Sequence, residues 1–198
     1  METQILQQRA ARSLNVESSI VALSQEDATE LFSQATHRLL HINKWHTLPC
    51  SLLKELRLTD DKGFEVDRQV RENDYFIVNN LNGGDEWVKV ERVFLQCDPS
   101  GPREMLTLRA RPTSNPLVEG EGSIRPSNTF KVTRQGLNIT VSVYGKNDAA
   151  NNEDDHSIKS YWAAGQETKR PDLTVGAIPG VARVQWRSLV HGILSTWW

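Results

Sequence analysis

The sequence predicts one α+β domain, and three observations carry that expectation. A helix-period segment follows a short β-rich run near the start, residues 52–144 break into short runs that alternate in hydrophobicity between turn signals, and an apolar stripe at helical spacing returns near the end. A chain of 198 residues is long enough for one well-buried core, with no metal or disulfide staple needed. With 23 Lys plus Arg against 25 Asp plus Glu, the formal charge is −2, which argues against general nucleic-acid binding because that requires a basic face.

Residues 1–15 are polar and read as a flexible N-terminal segment without a secretory h-region, leaving 16–198 as the domain. Residues 16–23 (VESSIVAL) are short and partly β-branched, a first strand. Ser24 then offers a helix cap, with Glu26 and Asp27 favoured in the first turn, and Ala28, Leu31, Phe32, Ala35, Leu39 and Ile42 form one stripe. The helix is expected over 25–41 and must end before Pro49. Strands are expected at 52–58, 64–70, 75–78, 87–95 and 105–111, separated by turns such as Thr59-Asp60-Asp61-Lys62-Gly63 and the Asn-Gly-Gly-Asp run at 82–85. Residues 112–128 hold Pro112, Pro116, Gly120, Gly122 and Pro126 and read as irregular. Residues 129–134 and 139–144 flank Gln135-Gly136-Leu137-Asn138 as a hairpin, with Ile139, Val141 and Val143 opposite Thr140, Ser142 and Tyr144. Residues 145–180 read as a long surface loop with a polar run at 151–156 and a short helical piece near 158–164. Trp186, Leu189, Val190, Ile193 and Trp197 then mark the final amphipathic helix.

Chemistry is harder to find. His37 and His41 have the i, i+4 spacing of a two-imidazole metal site, yet they fall at about 180° and 220° from the apolar stripe. They are read as solvated histidines, and no metal or cofactor is assigned. Cys50 and Cys97 imply no disulfide framework, and a reducing, cytoplasmic setting is the simplest reading. The chain contains no Walker A loop, no G-x-S-x-G elbow and no dinucleotide fingerprint following a strand. Arg103, Arg109, Arg111, Arg125 and Arg134 could together take a carboxylate or phosphate, but the strand face opposite Leu106, Leu108 and Ala110 is more simply a solvent face. Trp45 and His46, where the first helix gives way to strands, are either a packing corner or the mouth of a cavity. No window approaches a membrane span.

The element order is similar to the helix-grip proteins of the START-like (SRPBCC, Bet v 1-like) superfamily. The segments that carry the resemblance are VESSIVAL, the helix ending in INKWH (42–46), the strands through TVSVY (140–144) and the final VQWRSLVHGIL (184–194). INKWH, RPTSNP (111–116) and VYGKND (143–148) also look like segments of an uncharacterised bacterial family within that superfamily. The resemblance implies a curved antiparallel sheet of about six or seven strands gripping the C-terminal helix, with an apolar ligand cavity between them. It carries no shared catalytic set. A ligand site is therefore expected at Trp45, His46, Arg111, Tyr144 and Trp186, holding a small hydrophobic molecule, and a binding protein is favoured over an enzyme. The alternatives are an enzyme of polyketide cyclase or hydrolase type on the same scaffold, and a homodimeric interaction protein joined through the C-terminal helix and Trp197-Trp198.

Overall fold

The computed structural model describes residues 15–80, 84–98, 103–118, 125–146 and 178–196. A seven-stranded antiparallel sheet has the order β1-β7-β6-β5-β4-β3-β2. Strands β2 (Leu56–Thr59), β3 (Tyr75–Asn80), β4 (Gly84–Cys97), β5 (Arg103–Thr113), β6 (Ser127–Gln135) and β7 (Asn138–Lys146) follow one another as a meander. The first strand, β1 (Asn15–Val21), closes the far side by pairing with β7. Helix α1 (Gln25–Leu40) and the C-terminal helix α2 (Arg183–Leu194) both lie on one face, α1 over β6 and β7 and α2 over β1 and β7. Among the described residues no helix is long and apolar enough to cross a membrane.

On β5, β6 and β7 alternate residues face the core. Leu106, Leu108 and Ala110 of β5, Asn128, Phe130 and Val132 of β6, and Ile139, Val141 and Val143 of β7 point to the helices and are buried. β4 breaks the alternation once. Its register shifts between Val90 and Arg92, so Val88 and Val90 lie on the core side before the shift, and Val93 pairs with the core residue Leu108 after it. The extra residue is Glu91, and such a bulge curves the strand and increases its twist. The β6–β7 hairpin forms as expected, its turn closed by Gly136 at φ 62°.

The helices follow their sequence signals closely. Ser24 caps α1 by accepting from the Asp27 amide at 3.1 Å, and Ala28, Phe32, Ala35 and Leu39 are buried along one stripe. Trp186, Leu189, Val190 and Ile193 of α2 are likewise buried within this chain, so this part of the stripe is used up intramolecularly and Val184 is the large apolar side chain that α2 exposes. Trp197 and Trp198, Trp162 and the polar run at 151–156 lie outside the described residues, as do residues 1–14.

One expected strand, 64–70, is not a strand, and the one expected at 52–58 is present only from Leu56, as β2. Residues 64–70 make a single bridge, Thr59 to Glu65, and otherwise dock by scattered backbone and side-chain bonds. Asn43 donates to the Val66 carbonyl at 2.8 Å, the Val70 amide donates to the Leu40 carbonyl, and Arg68 makes a two-pronged pair with the buried Asp74 at 2.6 and 2.9 Å. Residues 52–55 are held by α2 instead. The Ser188 hydroxyl accepts from the Leu52 amide at 2.8 Å, and the Gln185 side chain donates to the Leu52 carbonyl at 3.0 Å. With both backbone groups satisfied by α2, Leu52 has no need of a strand partner.

Gly192 sits where α2 crosses the chain after α1. A Cβ there would lie 2.8 Å from the Pro49 carbonyl oxygen and 3.0 Å from Leu48 Cβ. Alanine would gain about 1 kcal/mol of helix propensity, but forcing the helix off a backbone atom costs about 1–3 kcal/mol. Gly192→Ala is therefore expected to lower the urea midpoint, and an unchanged or higher midpoint would contradict this packing.

Candidate ligand site

The segment Ile42–Thr47 is a 3-10 turn, η1, that carries the chain from α1 toward β2. Asn43 ties it down, since its side-chain oxygen accepts from the Leu58 amide at 2.7 Å. That anchoring drives Trp45 inward, where it is fully buried. Its indole nitrogen donates to the carbonyls of Arg38 and Leu39 at 3.2 and 3.1 Å, two of the last-turn carbonyls that α1 cannot satisfy itself. Its ring packs on Phe130 at 5.3 Å and Phe76 at 6.1 Å between centroids, and Trp186 also packs on Phe130, at 5.4 Å. Trp45 and Trp186 thus meet the same phenylalanine in the layer between sheet and helices.

The other expected residues do not join them. Arg111 and Tyr144 lie on the opposite face of the sheet, out of step with the neighbouring core residues Ala110 and Val143. The Arg111 guanidinium bonds Glu91 at 2.6 Å and the Arg125 carbonyl at 2.9 Å, and the Lys131 ammonium sits over the Tyr144 ring at 5.3 Å. His46 is half-buried beside Trp45, its Nδ1 without a hydrogen-bond partner. The expected five-residue site is corrected accordingly: the sheet stands between its aromatic pair and its two polar anchors. Strand parity is the reason, because Tyr144 and Arg111 alternate with core positions.

The arginines do not assemble an anion site either. Glu91, displaced by the bulge, pairs with both Arg109 at 2.9 Å and Arg111, while Arg125 pairs with Glu86 and Arg134 with Glu104. His37 and His41 stack at 4.1 Å on the exposed side of α1, and no group of three or more metal-ligating side chains occurs among the described residues. Ser18 and His191 approach at 3.2 Å between β1 and α2, but no described carboxylate bonds that imidazole to orient it. An open depression of about 420 Å³ lies at the far end of the sheet, lined by Gln96, Cys97, Asp98, Arg103, Met105 and Thr133.

Two residues outside the expected site change its character. Asn128 is fully buried on the core face of β6, and neither its Nδ2 nor its Oδ1 has a hydrogen-bond partner. Its cross-strand neighbours are Ala110 on β5 and Gly145 on β7, neither of which has a polar side chain to offer the carboxamide. One step along the same face stands Phe130 with Trp186 packed on it, and the Trp186 Nε1 is also buried and unpartnered. An unpaired buried polar group costs about 1–3 kcal/mol, so three such atoms, on Asn128 and on the Trp186 that packs against Phe130, are a substantial unmet demand.

Glu86 is the second. It lies two residues before Val88, on the core-facing side of β4, opposite the buried Val78. Burial pushes its carboxyl above the ordinary 4.5, against the opposing pull of Arg125. A carboxyl raised in the folded state holds its proton more tightly there than in the unfolded chain. Its contribution to stability is therefore greatest below pH 4.5 and is lost as pH rises through the folded value. An NMR titration of the Glu86 carboxyl is expected to show a midpoint above 4.5, moving higher still in Arg125→Ala. A midpoint at or below 4.5 would contradict the burial.

No family model matches the chain, and no curated protein matches it. Among solved structures, it is similar to a hypothetical protein from Helicobacter pylori, at 8% identity and a TM-score of 0.43 over 71% of this chain and 72% of that one.

Proposed function

We propose that the chain is a helix-grip protein of START-like type that binds a small, largely apolar molecule between its sheet and α2. The element order supports this reading, and Asn128 carries it: a fully buried carboxamide without a protein partner, flanked across the strands by Ala110 and Gly145. Pockets for small molecules have this form, mostly apolar walls with a few polar groups that fix orientation. The binding space in this reading lies toward Asn128 and Trp186, whose polar atoms lack partners, and away from Trp45, whose indole is bonded and packed on Phe76 and Phe130. The free, exposed thiols of Cys50 and Cys97 suit the reducing cytoplasm. Native mass spectrometry of protein purified without denaturant, with a thermal-shift screen of lipids and aromatic metabolites, tests the reading. A bound small-molecule mass or a rise in Tm is expected. Failure of every compound to bind, together with a more stable Asn128→Leu variant, would overturn it.

One observation favours an enzyme of cyclase or hydrolase type as the second reading. Glu86 supplies a shielded carboxyl on the core-facing side whose proton affinity burial raises against the pull of Arg125, and shifts of that direction mark candidate general acids. In that case Glu86→Gln abolishes turnover of a bound ligand and leaves its affinity intact.

A further inference from the structure

We infer that the polar end of the bound molecule is a neutral group with a donor and an acceptor on one edge, a lactam or primary or secondary carboxamide, seated against Asn128 and Trp186. This rests on the binding reading above and adds the chemistry of the ligand's head.

The Asn128 carboxamide offers a donor, Nδ2, and an acceptor, Oδ1, side by side, and both are unpartnered. Because both are free, exchanging the two atoms by a flip of the amide leaves the conclusion unchanged. A group that satisfies both at once must itself accept and donate along one edge. A lactam does this with two parallel hydrogen bonds, and its carbonyl keeps a second lone pair for a donor such as the Trp186 indole N–H.

The competing head groups fit less well. A carboxylate or phosphate would turn lone pairs toward Oδ1 and would need a cation. The described cations on or beside this face are already engaged: Arg38 with the carbonyls of Ile193 and Ser195, Arg125 with Glu86, Arg134 with Glu104. Burying an anion there would lack its usual compensation. A hydrocarbon head would leave Asn128 as unsatisfied as it stands. Water can bridge these atoms, and would then make the site indifferent to the ligand's head group.

The test compares matched probes of one, two and three rings in three chemistries on the intact chain. The lactams are 2-pyridone, 2-quinolinone and phenanthridinone. The hydrocarbons are benzene, naphthalene and phenanthrene, and the anions are the corresponding ring carboxylates. Calorimetric affinities are expected to favour the lactam of the best-fitting size at least tenfold over its hydrocarbon and its carboxylate. In Asn128→Leu, whose side chain has nearly the same shape, that preference should collapse while hydrocarbon binding persists. If Asn128→Leu does not fold, Trp186→Phe is used, and a several-fold loss confined to the lactam is expected. Hydrocarbon and lactam binding equally, the carboxylate binding as well as the lactam, or a preference that survives Asn128→Leu would each overturn the inference and leave the binding reading standing. If nothing of any size binds, the inference falls, and the binding reading falls with it where the lipids also fail to bind and Asn128→Leu is more stable than the parent chain.

Discussion

Trp45→Ala is expected to cost about 3–5 kcal/mol, the range for emptying a large aromatic site in a packed core. That is a large share of the ~5–15 kcal/mol that holds a typical domain together. Three losses combine at this position. The ring's contacts with Phe130 and Phe76 vanish, a cavity opens between sheet and helix, and the last-turn carbonyls of Arg38 and Leu39 lose their indole donor. Trp45→Phe separates the parts, since it keeps most of the ring area and forfeits only the donor. A loss nearer 1–2 kcal/mol, the scale of a missing hydrogen bond, is expected for it. Urea melts of the two variants check both values. A drop below 1 kcal/mol for the alanine would show that Trp45 borders open space rather than filling the core.

The second large effect belongs to Arg38. Its guanidinium leaves α1, is almost fully buried, and donates to the carbonyls of Ile193, at 2.9 Å, and Ser195 at the end of α2. Burial pulls its proton affinity below the usual range, yet the bonds it makes need the charged form. Each charge-assisted bond is worth roughly 1.5–3 kcal/mol, so Arg38→Leu is expected to lose about 3 kcal/mol or more. The damage should be uneven. Hydrogen exchange is expected to rise first in α2, while β4, β5 and β6 keep their protection. Uniform loss across the molecule would mean that Arg38 does not specifically hold the helix.

Much of this arrangement was legible in the sequence, and the exceptions have physical causes. The Ser24 cap, the stripe of α1 and the alternation of β7 are local signals, and all appear where expected. Alternation also placed Tyr144 and Arg111 away from the core, so their assignment to a pocket with Trp45 and Trp186 ignored what parity already said. Asn128 could have been found by stepping back two residues from Phe130. Pro112, Pro116 and Pro126 hid it, because they made residues 112–128 look structureless although β5 runs to Thr113 and β6 begins at Ser127. The bulge at Glu91 has no local signature. Nor does the docking of residues 52–55 on Gln185 and Ser188, which comes from the far end of the chain. Raised proton affinity at Glu86 depends on neighbours in space and is invisible to spacing.

The pairing of β1 with β7 has a temporal consequence. Asn15 lies opposite Tyr144, and α2 then packs over both strands. During synthesis the residues of β1 emerge early and wait for a partner made more than a hundred residues later, whereas each hairpin from β2 to β7 can form as it appears. Closing that long span is slow, since the entropy of the loop must be lost before the pairing compensates it. The edge completed last in folding is therefore built from the first described strand, and stalled or truncated chains lacking β7 would present it unpaired.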